Sequence, residues 1–121
     1  MTYKPDQVAP ATRRQVARQA RDAFPRMGVY TIRDNETGAV LVGASRNVDG
    51  ALNRTQFELR MRSHTNKTLQ AAWDRGGPER FTFEIVALIK ENDDPGFDYL
   101  MELRLLEQLY REEFERTALA G

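Results

Sequence analysis

The sequence predicts an α/β fold: a small three-stranded, mostly antiparallel sheet flanked by helices in the order ββααβα, with an extra helix at the N-terminus. Three observations carry this. Two short β-prone runs flank a dense cluster of turn formers at Asp34-Asn35-Glu36-Thr37-Gly38. A third apolar run, Phe81–Ile89, stands alone later in the chain. The segments between and after these runs have apolar residues at helical spacing.

In chain order, residues 1–8 read as a loose end. Pro10 to Ala23 reads as a helix, with Pro10 in its first turn, Val16, Ala17, Ala20 and Phe24 recurring at helical spacing, and Pro25 ending it. Gly28–Arg33 (GVYTIR) is a strand rich in β-branched and aromatic residues, and Ala39–Val42 (AVLV) is its hairpin partner. A turn centred near Asn35 and Glu36 sets Tyr30 opposite Leu41. Val48 to Ser63 reads as a helix with Asp49 near its start. Asn66–Arg75 is another, ended by Gly76-Gly77-Pro78. After the third strand, Asn92-Asp93-Asp94-Pro95-Gly96 is a loop, and Phe97 to about Ala118 is the longest helix.

At 121 residues the chain is one domain in size. The reading is a basic helical extension over residues 1–26 and a folded domain over 27–118. With 40% hydrophobic residues it has material for one modest core, which excludes a disordered tail. No apolar run approaches ~18 residues, so no membrane span is expected. The first residues lack the apolar stretch of a secretory signal. Cysteine is absent, which excludes disulfides, thiolate catalysis and cysteine-ligated metal sites, and fits a cytoplasmic location. A single histidine, His64, excludes a multi-histidine metal cage. Net charge is zero, but its distribution is uneven: residues 1–26 carry +4, residues 44–80 carry +3 and residues 81–121 carry −6. A basic front could present one electropositive face to phosphate; charges segregated only for solubility would look the same.

Helical spacing places Arg60 and His64 four apart, on one face of their predicted helix. A guanidinium and an imidazole so arranged suit a phosphodiester, although a solvated face with one ordinary surface histidine is the commoner origin of such a pair. On the last helix Tyr99, Leu103, Leu106, Tyr110 and Phe114 form an apolar stripe, and Glu107 lies at its flank. Wheel geometry does not single Glu107 out, because Glu102 and Glu113 also border apolar positions. One carboxylate there could bind a hard divalent ion, with phosphate and water completing the coordination. Tyr30, in the first strand, is either a packing residue or a phenol needing cations or a metal to act as a base. No phosphate-binding glycine loop is present, since Gly76-Gly77 is followed by Pro78. No strand-to-helix elbow carries a serine for a hydrolytic triad.

Taken together, these segments resemble the GIY-YIG nuclease family. Gly28-Val29-Tyr30 resembles the first motif and Leu41-Val42-Gly43 occupies the second. Arg60-Met61-Arg62-Ser63-His64 resembles the family's Arg-x-x-x-His helix. Asn66 to Trp73, Gly76-Gly77 and Phe81 to Ile85 resemble the stretch leading to the third strand. Leu106-Glu107-Gln108-Leu109-Tyr110 resembles the helix with the metal-binding glutamate. The resemblance covers roughly residues 27–113. It implies Mg²⁺- or Mn²⁺-dependent hydrolysis of DNA phosphodiesters. In those terms Tyr30 acts as or orients the base, Arg60 stabilises the phosphorane, His64 assists proton transfer or contacts phosphate, and Glu107 holds the metal. All four side chains are expected to converge on one concave surface.

The second motif normally offers a tyrosine where this chain has Leu41, so one polar group of the site is missing. DNA is the implied partner, and sequence specificity would come from a protein partner or be absent. A catalytically weak or inactive module on the same fold, binding nucleic acid or a protein, is the alternative reading.

Overall fold

The hairpin after Met27 organises the structure. The computed structural model describes residues 24–120, in the order β1 (Gly28–Asp34), β2 (Val40–Ser45), α1 (Val48–Arg60), α2 (Lys67–Gly76), a 3₁₀ turn (Pro78–Arg80), β3 (Phe81–Leu88) and α3 (Tyr99–Ala120). The helix expected over Pro10–Ala23 lies outside the described residues. β1 is the central strand of an antiparallel sheet ordered β2-β1-β3, which is the predicted fold class. No described helix is long and apolar enough to cross a membrane.

The Asp34 side chain builds the β1–β2 turn. Its Oδ1 accepts from the Glu36 and Thr37 amides at 3.0 and 3.3 Å. The Gly38 amide donates to the Asp34 carbonyl at 2.7 Å, and the Asp34 amide to the Ala39 carbonyl at 2.8 Å. Arg80 closes over the same carboxylate as a fork, Nε to Oδ1 and Nη2 to Oδ2, both at 2.8 Å. The turn is therefore centred between Glu36 and Thr37, later than the sequence suggests. Tyr30 pairs with Gly43, and Leu41 with Ile32, which corrects the expected Tyr30–Leu41 pairing. The slip is two residues, so no side chain changes face.

Sequence position alternates across the sheet, and both faces are covered. On one face Ile32 packs with Leu59 of α1, Leu69, Ala72 and Trp73 of α2, and Phe81 of β3, with Tyr30 and Phe83 against them. Trp73 stacks on Phe81 with centroids 5.9 Å apart and meets Phe83 edge-on. Leu59 is fully buried, a contribution of roughly 1.5–3 kcal/mol for such a side chain. On the other face Val29 and Thr31 are buried, and α3 packs across β2 and β1. Residues 24–27 belong to the packed unit: Phe24 lies on the Tyr99 ring at 5.1 Å, and the Val48 and Ile89 amides donate to the Arg26 and Met27 carbonyls.

Helix α1 stops at Arg60, three residues earlier than expected. Arg62 adopts a left-handed conformation (φ 59°). The Ser63 amide reaches back to the Glu58 carbonyl at 2.8 Å and the Arg62 amide to that of Leu59 at 3.1 Å. This pair of bonds is a Schellman stop, made without the glycine that usually announces it.

Candidate active site

Tyr30 sits mid-sheet, opposite Gly43 in β2 and Ile85 in β3. Its ring lies directly over Gly43: a Cβ there would stand 2.5 Å from the phenol oxygen. The glycine of the second motif is thus the floor on which the first-motif tyrosine rests. Gly28 is required for a different reason. A Cβ on it would collide with the Ala87 carbonyl of β3. Just beyond, the β1–β3 register shifts between Val29 and Tyr30, leaving Val86 as the extra residue of a bulge. The Tyr110 hydroxyl of α3 donates to the Val86 carbonyl at 3.3 Å.

Helix α3, packed across β2 and β1, carries Glu107. Leu103, one turn before it, is buried and anchors the helix. Burial pushes the Tyr30 phenol above its ordinary value of 10.0, and the nearby negative charge of Glu107 pushes it further in the same direction. The two residues are 77 positions apart in sequence. Glu107 Oε2 accepts from Arg111 Nη2 at 3.0 Å. The same nitrogen donates to the Val42 carbonyl at 3.2 Å, which ties α3 to the second motif. Sequence reasoning missed Arg111; the Glu-x-x-x-Arg spacing on one helical face was its only signal.

Arg60 is the last residue of α1, and His64 lies in the link that follows. Because α1 ends at Arg60, the two do not share a helical face, which corrects that expectation. Exposed Arg60 lines a cleft with Leu59, Arg62, Trp73, Asp74, Gly77 and Pro78. His64 sits in the link to α2, where its Nδ1 accepts from the Asn66 amide at 3.0 Å. In the neutral ring the proton is therefore on Nε2, which leaves a donor rather than a base. The His64 amide donates to Oε1 of buried Gln70 at 3.0 Å, and Gln70 Nε2 donates to the Leu59 carbonyl and to Asp74. Asn66 caps α2 by accepting from the Leu69 amide. Among the described residues, no hydrogen bond or ion pair links Arg60 or His64 to Tyr30 or Glu107. The contacts shown join Tyr30 to Gly43, and Arg111 to Glu107 and to the carbonyl of Val42 next to Gly43.

Among the described residues, no three His, Cys, Asp or Glu side chains cluster as a complete metal cage. Glu107 offers one carboxylate, with Oε2 on Arg111 and Oε1 unengaged by any hydrogen bond among the described residues. That donor set fits a hard divalent cation completed by phosphate and water.

No family model matches the sequence, and no curated protein is similar to it. Solved structures are similar in fold. The catalytic domain of the homing endonuclease I-TevI matches with a TM-score of 0.60 at 21% identity, over 74% of this chain and 89% of that one. A variant of the same catalytic domain gives 0.49 at 22% identity, over 65% and 84%. The chain is thus a GIY-YIG-like domain in fold.

Proposed function

We propose that this chain is a metal-dependent DNA endonuclease of the GIY-YIG type. The observation that carries the reading is the fold shared with a homing-endonuclease catalytic domain, on which Tyr30 of the central strand is seated over Gly43 and Glu107 stands on the helix packed across β2 and β1. The Tyr30 phenol orients the attacking water and, once deprotonated, accepts its proton. Glu107 is the residue that would hold Mg²⁺ or Mn²⁺. Such an ion supplies Lewis-acid stabilisation of the phosphate and of the leaving oxygen. His64 offers Nε2–H to a phosphate oxygen from the α1–α2 side, and Arg60 supplies a cation on the same side. DNA is the proposed partner.

Leu41 favours a second reading, a DNA- or protein-binding module of weak or no activity. It stands where the second motif carries a tyrosine, and leucine offers no hydrogen bond to water or phosphate. The test is nicking of supercoiled plasmid with Mn²⁺ or Mg²⁺, beside a metal-free control. The nuclease reading expects cleavage by the wild type, abolished by EDTA and by Glu107→Ala, and reduced about 100-fold or more in Tyr30→Phe. Binding without cleavage of any DNA form establishes the module.

A further inference from the structure

We propose that Arg111 is the phosphate-binding arginine of this site, gripping a DNA phosphodiester at the mouth of the cleft between β2 and α3. The inference rests on the nuclease reading only for the identity of the ligand, DNA. Arg111 is placed for it by two fixed contacts, Val42 O at 3.2 Å and Glu107 Oε2 at 3.0 Å, both made through the single nitrogen Nη2. A guanidinium carries five N–H donors in a rigid plane. The donors on Nε and Nη1 make no hydrogen bond among the described residues, and the side chain is 45% exposed. With Nη2 committed to Val42 and Glu107, the donors left on Nε and Nη1 point away from each other, so each offers a single charge-assisted hydrogen bond to a phosphate oxygen, with little further ordering of the side chain on binding.

The surroundings support the same ligand. Arg111 lines a cleft of about 470 Å³ together with Arg33, Val40, Val42, Phe114 and Glu115. Arg33 gives a second cation on the β-sheet side, and the apolar side chains offer a surface for sugar or base. Glu107 and Glu115 balance the two arginines, so the cleft is not a nonspecific basic patch. Its attraction for DNA comes from directed donors. Arg111 also touches the residue proposed to hold the metal, which puts the gripped phosphate beside Glu107. Arg60, the guanidinium suggested by sequence, lines a different cleft.

The test is fluorescence anisotropy of a labelled duplex in EDTA, titrated across salt concentrations, so that neither cleavage nor metal enters. Arg111→Met should weaken binding roughly tenfold at low salt. It should also reduce the slope of log affinity against log salt by ~0.9, the contribution of one neutralised phosphate. Arg111→Lys should keep the slope and bind several-fold more weakly, since one ammonium cannot hold Val42 and Glu107 and still offer the outward donors of a guanidinium. Arg111→Gln, which retains amide donors toward Val42 and Glu107, guards against a trivial loss of packing and should lose slope as Arg111→Met does. Wild-type slope and affinity in folded Arg111→Met or Arg111→Gln overturns the proposal and leaves Arg111 as a tie between α3 and β2. Absence of DNA binding by the wild type overturns it as well. The nuclease reading fails separately: a changed slope beside a wild type that never nicks plasmid leaves the phosphate site standing on a binding module.

Discussion

The ring of Tyr30 lies on the bare backbone of Gly43, so close that any side chain at position 43 would occupy the space of the phenol. The glycine is needed not for its own torsion angles but for the residue across the strand. Gly43→Ala should therefore displace Tyr30. Replacing a strand glycine by alanine ordinarily adds stability, by roughly 0.5–1 kcal/mol. Here the melting temperature should fall, and plasmid nicking should drop at least tenfold. Wild-type nicking by the Gly43→Ala variant would show that the position of the ring is immaterial to the reaction.

Tyr30 should titrate above its ordinary 10.0, because burial and then Glu107 both disfavour the phenolate. At neutral pH only a small fraction is deprotonated, so the nicking rate should climb with pH, approaching tenfold per unit while Tyr30 remains mostly protonated. Tyrosinate absorbance, wild type minus Tyr30→Phe, isolates this group. In Glu107→Gln, without metal, the same difference titration should move to lower pH, since one source of the upward shift is gone. An unmoved curve would separate the two residues electrostatically.

Leu41 is 42% exposed and pairs with Ile32, on the face that also carries Tyr30. Diagonal neighbours on one face lie about 7–8 Å apart, within reach of an aromatic side chain. Leu41→Tyr should fold with little change in melting temperature and raise the nicking rate several-fold by restoring a hydroxyl beside Tyr30. A slower variant in the same time course would indicate that the site is organised around the leucine.

Asp34 and Arg80 form the least exposed ion pair among the described residues. The Arg80 fork, followed by the Glu36 and Thr37 amides, holds the Asp34 carboxyl well below its ordinary 3.8, against an opposing effect of burial. A depressed folded-state value means the stabilisation is fully present above the unfolded value. It is lost as pH falls below about 4 toward the folded value. Wild-type melting temperature should therefore drop on acidification below pH 4. Asp34→Asn should melt lower than wild type at pH 7, and the gap should narrow in acid. A constant gap from pH 7 to pH 2 would remove the ion pair as its cause.

Arg62 terminates α1 in the left-handed region, which costs a non-glycine residue about 1 kcal/mol. Arg62→Gly should recover much of that, because its side chain is largely exposed and its pairing with Asp74 is long, at 4.0 Å. Denaturant melts of the two proteins decide it, and a destabilised variant would mean that the Arg62–Asp74 contact outweighs the backbone strain.

The kinds of element and their order were legible in the amino-acid sequence, because both are local properties. GVYTIR and FTFEIVALI are β-prone over their own length, and Asn47 and Asn66 cap the helices that follow them. Tyr30 and Glu107 were legible as candidates for the same reason, each sitting in a motif of neighbouring residues. Register was not local. The Asp34 turn is centred by Arg80, 46 positions away, and it makes Gly43 rather than Leu41 the partner of Tyr30. Nor was the end of α1, where Arg62 takes the left-handed turn that sequence reserves for glycine and so leaves His64 outside the helix that ends at Arg60. Arg111 had no meaning until α3 lay across β2 and gave its guanidinium both Glu107 and the Val42 carbonyl. Backbone preferences act over a few residues and determine what each segment becomes. Which side chains meet is decided by packing two faces of one small sheet, and that choice depends on all the segments at once.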